Sequence, residues 1–411
     1  MRKLVSIILT LCLGAFLADA VVSLLDDTLL LFFGNHILSA IRGILWFLAV
    51  VLAMVTYVLM GLTPMIPKRL FVPVTLFNPV ALLLMIPVLI YHFDRNEWIS
   101  WGISIGQVWL ALSICRLVLG GWKFHWPLVA EASLGSRSFG WLNSAGFLML
   151  NIFVLLPAVV LYLAFCASLA ADHFSGGFLA LRWNRITVQT RKYLGHDGKT
   201  IQLVPMIHIA DFDFYQRISQ SFPTNAVILL EGVTDSKNLL TNELSYKKTA
   251  ASLGLVEQVE KFQPREQLSQ RADIDVSQFS PATIVLLNQV ILIHSKGLNA
   301  ENLFQLLQNS SSPMLEKQLF EDLLTKRNQH LLQKIQAELP RSDIIIVPWG
   351  VAHMPGIAGE IQKSGFSLVQ SREYDAILFR SVWNGLNSRQ NETNGSKQRS
   401  LDPGRQEPEI R

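Results

Sequence analysis

The chain has 411 residues and a net charge of +4; half of its residues are hydrophobic and only 16% are charged. Soluble domains carry about 25% charged residues, so this composition excludes an ordinary single soluble domain, a disordered chain and a disulfide-rich scaffold. Residues 1–180 hold only 16 of the 66 charged side chains. The sequence therefore predicts a membrane-embedded first part and a water-soluble second part. The net charge divides evenly between them, and no basic patch indicates nucleic-acid binding.

The first part contains five apolar runs that approach the ~20 residues needed to cross a bilayer. We expect five transmembrane helices within residues 1–175, at about residues 4–24, 41–62, 72–91, 98–119 and 145–170. Cys12, Cys115 and Cys166 all lie within these runs. The second part therefore has no thiol for a zinc site or a nucleophile.

The first run has two interpretations. Basic residues at the start, a long apolar stretch and then Ala18-Asp19-Ala20 are typical of a signal peptide with a cleavage site. The run continues through Leu25, which favours an uncleaved helix. Asp19 near the end of this run and Arg116 near the end of the fourth do not indicate a transport path, so membrane anchoring is the favoured role.

Loop charges predict the orientation. Basic residues precede the first helix and occupy the second and fourth loops: Arg2, Lys3, Lys68, Arg69, Lys123 and Arg137. The first loop holds Asp26 and Asp27, and the third holds Asp94, Arg95 and Glu97. The positive-inside rule then places the amino terminus in the cytoplasm and, after five spans, the second part outside it. Arg182, Arg185, Arg191 and Lys192 favour the opposite orientation unless they begin a folded domain.

Residues 182–383 alternate between strand and helix patterns. Strands are predicted at 185–191, 200–207, 226–230, 344–349, 366–370 and 376–380, and helices at 212–220, 244–252, 282–295, 300–308, 314–339 and 356–363. This alternation predicts an α/β or α+β domain around a mixed β-sheet. Residues 387–411 are polar and rich in turn formers, which predicts a disordered tail.

Three polar residues directly follow predicted strands. His208 and Glu231 each come immediately after an apolar strand, and His353 lies in the turn after a third. Ligands of open α/β sheets bind beyond the carboxyl ends of strands. Two imidazoles and a carboxylate are also the ligand set of a hydrolytic metal site. Each residue alone is more often a polar group that bonds a loop, but three at equivalent positions favour a shared site.

Four segments carry a family resemblance: His208-Ile-Ala-Asp, Leu229-Leu-Glu-Gly, Lys326-Arg-Asn and Gly350-Val-Ala-His-Met-Pro-Gly. In this order they resemble the TraB–PrgY–GumN–Tiki family, which is marked by two Gly-x-x-His motifs, a strand-end Glu and an Arg-Asn pair on a long helix. The resemblance covers residues 185–380. One position departs from it, because Pro205 stands where the family has Gly.

The resemblance implies a TraB/Tiki-like fold and a membrane-anchored, metal-dependent hydrolase, most simply a peptidase. It implies that His208 and His353 hold a divalent metal ion. Glu231 would complete the coordination or act as general base on the metal-bound water. Arg327 would stabilise the oxyanion, with Asn328 beside it in the active site.

Other roles stay open at this point. Arg327 and Asn328 lie on a helix where a polar pair is usually a solvated face, and Asp211 either supports His208 or caps the following helix. Proline cannot supply an N–H or the φ values of glycine, so Pro205 favours the alternative of a module that sequesters a peptide without turnover. The remaining histidines of this part are expected to be structural or solvated: His196, His294 and His330.

Overall fold

The computed structural model describes residues 1–121, 125–241, 245–264, 269–296 and 313–388. The chain divides into two compact units, Met1–Ala170 and Ala171–Arg411. Among the residues described, five helices are long and apolar enough to cross a membrane: α1 (Arg2–Phe33), α2 (Ser39–Leu62), α3 (Lys68–Tyr91), α4 (Asn96–Leu119, after a 3-10 turn at Phe93–Arg95) and α5 (Trp141–Ser175). The expectation of five apolar helices followed by an α/β domain with a mixed sheet is confirmed.

Helix α1 differs most from its prediction, because it continues nine residues past Leu24. Asp26 and Asp27 are therefore buried within a helix, not placed in a loop. Arg42 Nη1 donates to Asp27 Oδ1 at 2.6 Å, and Ser104 Oγ donates to Asp27 Oδ2 at 2.6 Å. The helix can continue because these donors satisfy the inward-facing carboxylates and the following residues, up to Phe33, are mostly apolar.

The second unit contains a seven-stranded mixed sheet and a two-stranded one. The strands are β1 (Leu179–Leu181), β2 (Arg185–Leu194), β3 (Thr200–Met206), β4 (Ile209–Ala210), β5 (Val227–Leu230), β6 (Val256–Glu257), β7 (Ser269–Arg271), β8 (Ile344–Gly350) and β9 (Ser367–Leu378). The large sheet runs β9-β2-β3-β8-β5-β7, and β1 also pairs with β2. Strands β3, β8, β5 and β7 are parallel, whereas β1, β2 and β9 pair antiparallel.

Helices cover both faces of this sheet. They are α6 (Phe212–Gln220), α7 (Lys247–Ser252), α8 (Gln258–Lys261), α9 (Pro281–Lys296), α10 (residues 313–338, with a π-helical turn at Glu321–Thr325), α11 (Met354–Lys363) and α12 (residues 379–388). Because side chains alternate along a strand, Ile345 and Val347 pack with the core near α10 and α11, whereas Ile346 packs with the core near α6. Burial on both faces explains the continuous apolar sequence of β8.

Two predicted strands, 366–370 and 376–380, are one strand. Strand β9 runs from Ser367 to Leu378 and pairs along the whole of β2. Residues 371–373, between the two predicted strands, are polar and exposed, and backbone pairing with β2 holds them in the strand. The helix predicted at 300–308 and residues 389–411 of the predicted tail lie outside the described residues.

Candidate active site

The parallel strands of the large sheet end at one edge, where the predicted residues come together. Met206 at the end of β3 lies opposite Gly350 at the end of β8. Glu231 follows β5 directly, and His353 ends a 3-10 turn that follows β8. Residues that follow different parallel strands therefore lie close together in space, although they are far apart in the sequence.

Arg327 lies at the centre of this edge. Its Nη2 donates to Glu231 Oε1 at 2.7 Å and to Asp273 Oδ2 at 2.6 Å, while Nε donates to Asp273 Oδ1 at 3.0 Å. Burial opposes the charge of the guanidinium, but the hydrogen bonds and charges of Asp273 and Glu231 outweigh it and raise the Arg327 pKa. Arg327 therefore stays charged and joins two carboxylates from neighbouring strands. It is not part of a solvated helix face.

His353 is a buried, neutral imidazole. Burial, and then the positive charge of Arg327, lower its pKa to about 4. Its Nδ1 lies 2.7 Å from Asn328 Oδ1, which can only accept, so Nδ1 carries the proton. Nε2 then presents its lone pair to Arg327 Nη1 at 3.2 Å and lies 3.5 Å from Glu231 Oε1. Asn328 thus fixes the tautomer and the ring orientation.

Glycine at two positions makes room for these contacts. Gly350 N–H donates to Glu231 Oε2, and a Cβ at Gly350 would lie 3.2 Å from that oxygen. A Cβ at Gly356 would lie only 2.8 Å from Asn328 Nδ2. The glycines that flank His353 in the sequence therefore allow a backbone and a helix to approach the site closely.

Asp273 is a member of the cluster that the sequence analysis missed. Its side chain is fully buried and also accepts from the main-chain N–H groups of Gly232 and Ile274. It lies two residues beyond β7, the same strand-end position that identified the other residues. Strand β7 has the sequence Ser-Gln-Arg, so no apolar run marked it.

His208 and Asp211 lie apart from the cluster's hydrogen bonds. His208 is exposed and stacks on Tyr246, with ring centroids 5.4 Å apart. It comes two residues after the end of β3, so it lies near the same edge of the sheet. Asp211 precedes α6 without capping it through its side chain. Instead it accepts from Leu378 N–H at 2.7 Å, which ties β9 to the start of α6.

The contacts of Arg327 bear on whether a metal ion fits. Glu231 and His353 are close enough to share one, but the guanidinium contacts both of their donor atoms. A divalent cation beside this charge would be strongly repelled, so the side chains as placed do not fit a metal ion. Among the residues that the structure describes, no three His, Cys, Asp or Glu side chains form a metal-binding group. The shared metal site of His208, Glu231 and His353 stays a prediction.

The cluster thus combines a fixed carboxylate, an oriented neutral imidazole and a buried cation at the edge where parallel strands end. Of the predicted residues, Glu231, Arg327, Asn328 and His353 are in contact. We found no family model, curated protein or solved structure that matches this chain.

Proposed function

We propose that the second unit is a hydrolase, most simply a peptidase, whose active site is the cluster around Arg327. One observation carries the proposal: four residues from three distant segments, each predicted for this role, make direct contacts at one sheet edge. A carboxylate and a neutral imidazole can exchange protons with water or a leaving group. A guanidinium can stabilise the oxyanion that forms from a peptide carbonyl.

The family resemblance supports this proposal through its glycines. Gly350 and Gly356 belong to the second motif, and both leave room for contacts within the cluster. We retain a divalent metal ion as a separate part of the proposal, since a neutral His353 would not need to lose a proton before binding one. Because Arg327 contacts both atoms that would bind the metal, Glu231 Oε1 and His353 Nε2, we assign no catalytic step to a metal.

A second candidate is a module that binds and sequesters a peptide or another ligand without turnover. The observation that favours it is the engagement of Arg327, which already contacts two carboxylates. A cation held in this way has less capacity to bind a developing negative charge. Pro205 in place of the family glycine favours the same candidate.

Turnover and metal content of the purified full chain separate these candidates. The hydrolase proposal expects peptide hydrolysis by the parent, loss of activity in Glu231→Gln and His353→Ala, and no loss in His330→Ala, the control on α10. If a metal is used, elemental analysis should find it in the parent and not in His353→Ala or His208→Ala. Peptide binding with no turnover in the parent would favour the sequestering module. Equal activity in Glu231→Gln and the parent would exclude this cluster as the active site.

We also propose that the five apolar helices span a lipid membrane and place the second unit on the extracytoplasmic side. Because Asp26 and Asp27 are buried within α1, the orientation rests mainly on the basic residues before α1 and in the second and fourth loops. Reporter fusions after Arg69 should give a cytoplasmic signal, and fusions after Ser175 an extracytoplasmic one. A cytoplasmic signal after Ser175 would reverse the orientation.

A further inference from the structure

An exposed tryptophan lies at the sheet edge that carries the Arg327 cluster. Trp183 is at the tip of the β1–β2 hairpin and is 90% exposed. Strand β2 starts at Arg185 and runs antiparallel to β3, so the start of β2 lies at the edge where β3 ends. Two strand positions, about 10 Å, separate β2 from β8, which leads into His353.

Helix α12 presents an apolar stripe outward at the same edge. Phe379, Trp383 and Leu386 lie on one helical face and are 37%, 67% and 47% exposed. The opposite face carries Gly385, which packs so closely on Gly254 that a Cβ would lie 2.5 Å from the Gly254 nitrogen. The half-buried residues of this helix are Ser381, Val382 and Gly385, which are small enough for close packing on the domain. The three large apolar side chains are left exposed.

The hairpin tip and this helix form one surface. The main-chain N–H of Phe379 donates to the carbonyl of Asn184, next to Trp183, at 3.0 Å. We call Trp183, Phe379, Trp383 and Leu386 the aromatic patch. Arg380 is exposed beside it. Large exposed apolar side chains that are grouped in this way mark an interaction surface.

The chain itself indicates what covers this patch. Helix α5, long and apolar enough to span a membrane, ends at Ser175, and only seven residues separate Ser175 from Trp183. The eight Cα–Cα steps between the two residues reach at most roughly 29 Å. Within the second unit, a Cβ on Gly176 would lie 3.2 Å from Pro355 Cγ, so the residue that follows α5 adjoins the start of α11, two residues after His353. Within the second unit, the patch and the cluster thus both lie close to the residues that directly follow Ser175.

We propose that the aromatic patch inserts into the interfacial layer of the membrane that α5 enters. Tryptophan is enriched at membrane interfaces, and helices that lie in the interface carry Trp, Phe and Leu on the buried face with basic residues beside them. Arg380 would contact lipid phosphates. The edge that carries Arg327 and His353 then faces the lipid surface. If the proposed hydrolase function holds, the substrate is a peptide segment held at that surface and not one free in solution.

Site-directed spin labels on the full chain test this placement. The chain would be reconstituted into vesicles of phosphatidylcholine and phosphatidylglycerol and labelled in the variants Trp183→Cys and Trp383→Cys. Asp197→Cys is the matched control, because its exposed turn between β2 and β3 lies at the opposite edge of the sheet. The parent chain, labelled in parallel, gives the background from its three buried cysteines.

The measurement compares collision of each label with oxygen, which concentrates in lipid, and with a water-soluble nickel chelate. We expect labels at 183 and 383 to collide with oxygen and to be shielded from the chelate, and the label at 197 to show the opposite. Free access of the chelate to either 183 or 383 would overturn the proposal. Shielding from both reagents would also overturn it and would indicate a protein partner or a second copy. Neither result depends on turnover, so the hydrolase proposal is tested separately.

Discussion

Each unit joins an arginine to two buried carboxylates, but the surroundings differ. In the helical unit, Arg42 contacts Asp26 and Asp27. The other oxygen contacts of these carboxylates come from serine hydroxyls on α4 and from the Leu38 main-chain N–H, with His36 largely exposed beside Asp26. In the second unit, Arg327 contacts Glu231, Asp273 and the imidazole of His353.

These surroundings separate a structural charge cluster from a candidate site. Hydroxyls and main-chain groups satisfy charges but do not exchange protons near neutral pH, so the Arg42 cluster is suited to tying α1 to α2 and α4. The Arg327 cluster adds a buried imidazole whose orientation is fixed by Asn328. It also lies where three parallel strands end, which a cluster between helices does not.

Removing the central cation should have the largest effect. Arg327→Ala leaves Asp273 fully buried and Glu231 mostly buried, without a cation between them. We expect the free energy of unfolding of the second unit to fall by about 3–5 kcal/mol, the cost of breaking a buried ion pair. Thermal and urea unfolding of the full chain measure this change. Arg341→Ala is the control, because its side chain is 77% exposed, and it should stay near the parent. A loss as small as that of the control would contradict the central role of Arg327.

The pH dependence of stability should identify His353. The folded state holds His353 neutral, with a pKa of about 4, whereas the unfolded state takes up a proton near pH 6.5. Stability should therefore fall as the pH drops from about 6.5 to about 4, by roughly 3 kcal/mol in total, and this contribution should not change further below pH 4. His353→Gln should remove this part of the pH dependence. Unfolding measured at several pH values, and the imidazole titration followed by NMR, test the prediction. A titration midpoint near 6.5 in the folded parent would refute it.

The missed carboxylate offers a more moderate test. Asp273→Asn keeps the size of the side chain but removes the charge that pairs with Arg327. We expect stability to fall by about 2 kcal/mol, in the range for a hydrogen bond to a charged group, and the orientation of Arg327 to loosen. Hydrolysis should fall less than in Glu231→Gln, because Asp273 positions Arg327 and does not itself contact His353. Asp197→Asn, in an exposed turn, is the control. Parent-like stability would show that Asp273 is dispensable.

The helical unit should respond less to the loss of its arginine. Arg42 is 29% exposed, and Ser100, Ser104 and the Leu38 N–H continue to donate to Asp26 and Asp27 when it is removed. We expect Arg42→Gln to lower stability by about 1 kcal/mol, the size of polar contacts between membrane helices. Unfolding of the purified chain in detergent measures this loss beside that of Arg327→Ala. A larger loss for Arg42→Gln than for Arg327→Ala would reverse the contrast between the two units.

Sequence patterns predicted the parts of the fold that depend on continuous burial. The run Ile344–Val347 is typical of a strand covered on both faces, and its end marked His353. The patterns failed where hydrogen bonds or backbone pairing with distant segments, and not continuous burial, stabilise the structure. Asp26 and Asp27 indicated a loop, because the local sequence does not show the hydrogen-bond donors that other helices supply to them. Strand β9 is exposed along half its length, and polar β7 concealed Asp273. The contacts of Arg327 depend on three strands and a helix that are far apart in the chain, so no local pattern contained them.

Pro205 provides the smallest and most specific test. It lies buried in β3 opposite Trp349, at the position of the first family glycine, and Pro348 lies buried in β8 opposite Val204. Each proline restricts the unfolded chain, so we expect Pro205→Gly and Pro348→Gly to lower stability by similar amounts, up to about 1 kcal/mol each. Only Pro205→Gly restores the motif. If Pro205 weakens a hydrolase, turnover should rise in Pro205→Gly and not in Pro348→Gly, which a peptide-cleavage assay on the full chain measures. The same turnover in both variants would remove Pro205 as a reason to prefer the sequestering module, and the engagement of Arg327 would then be its only structural support.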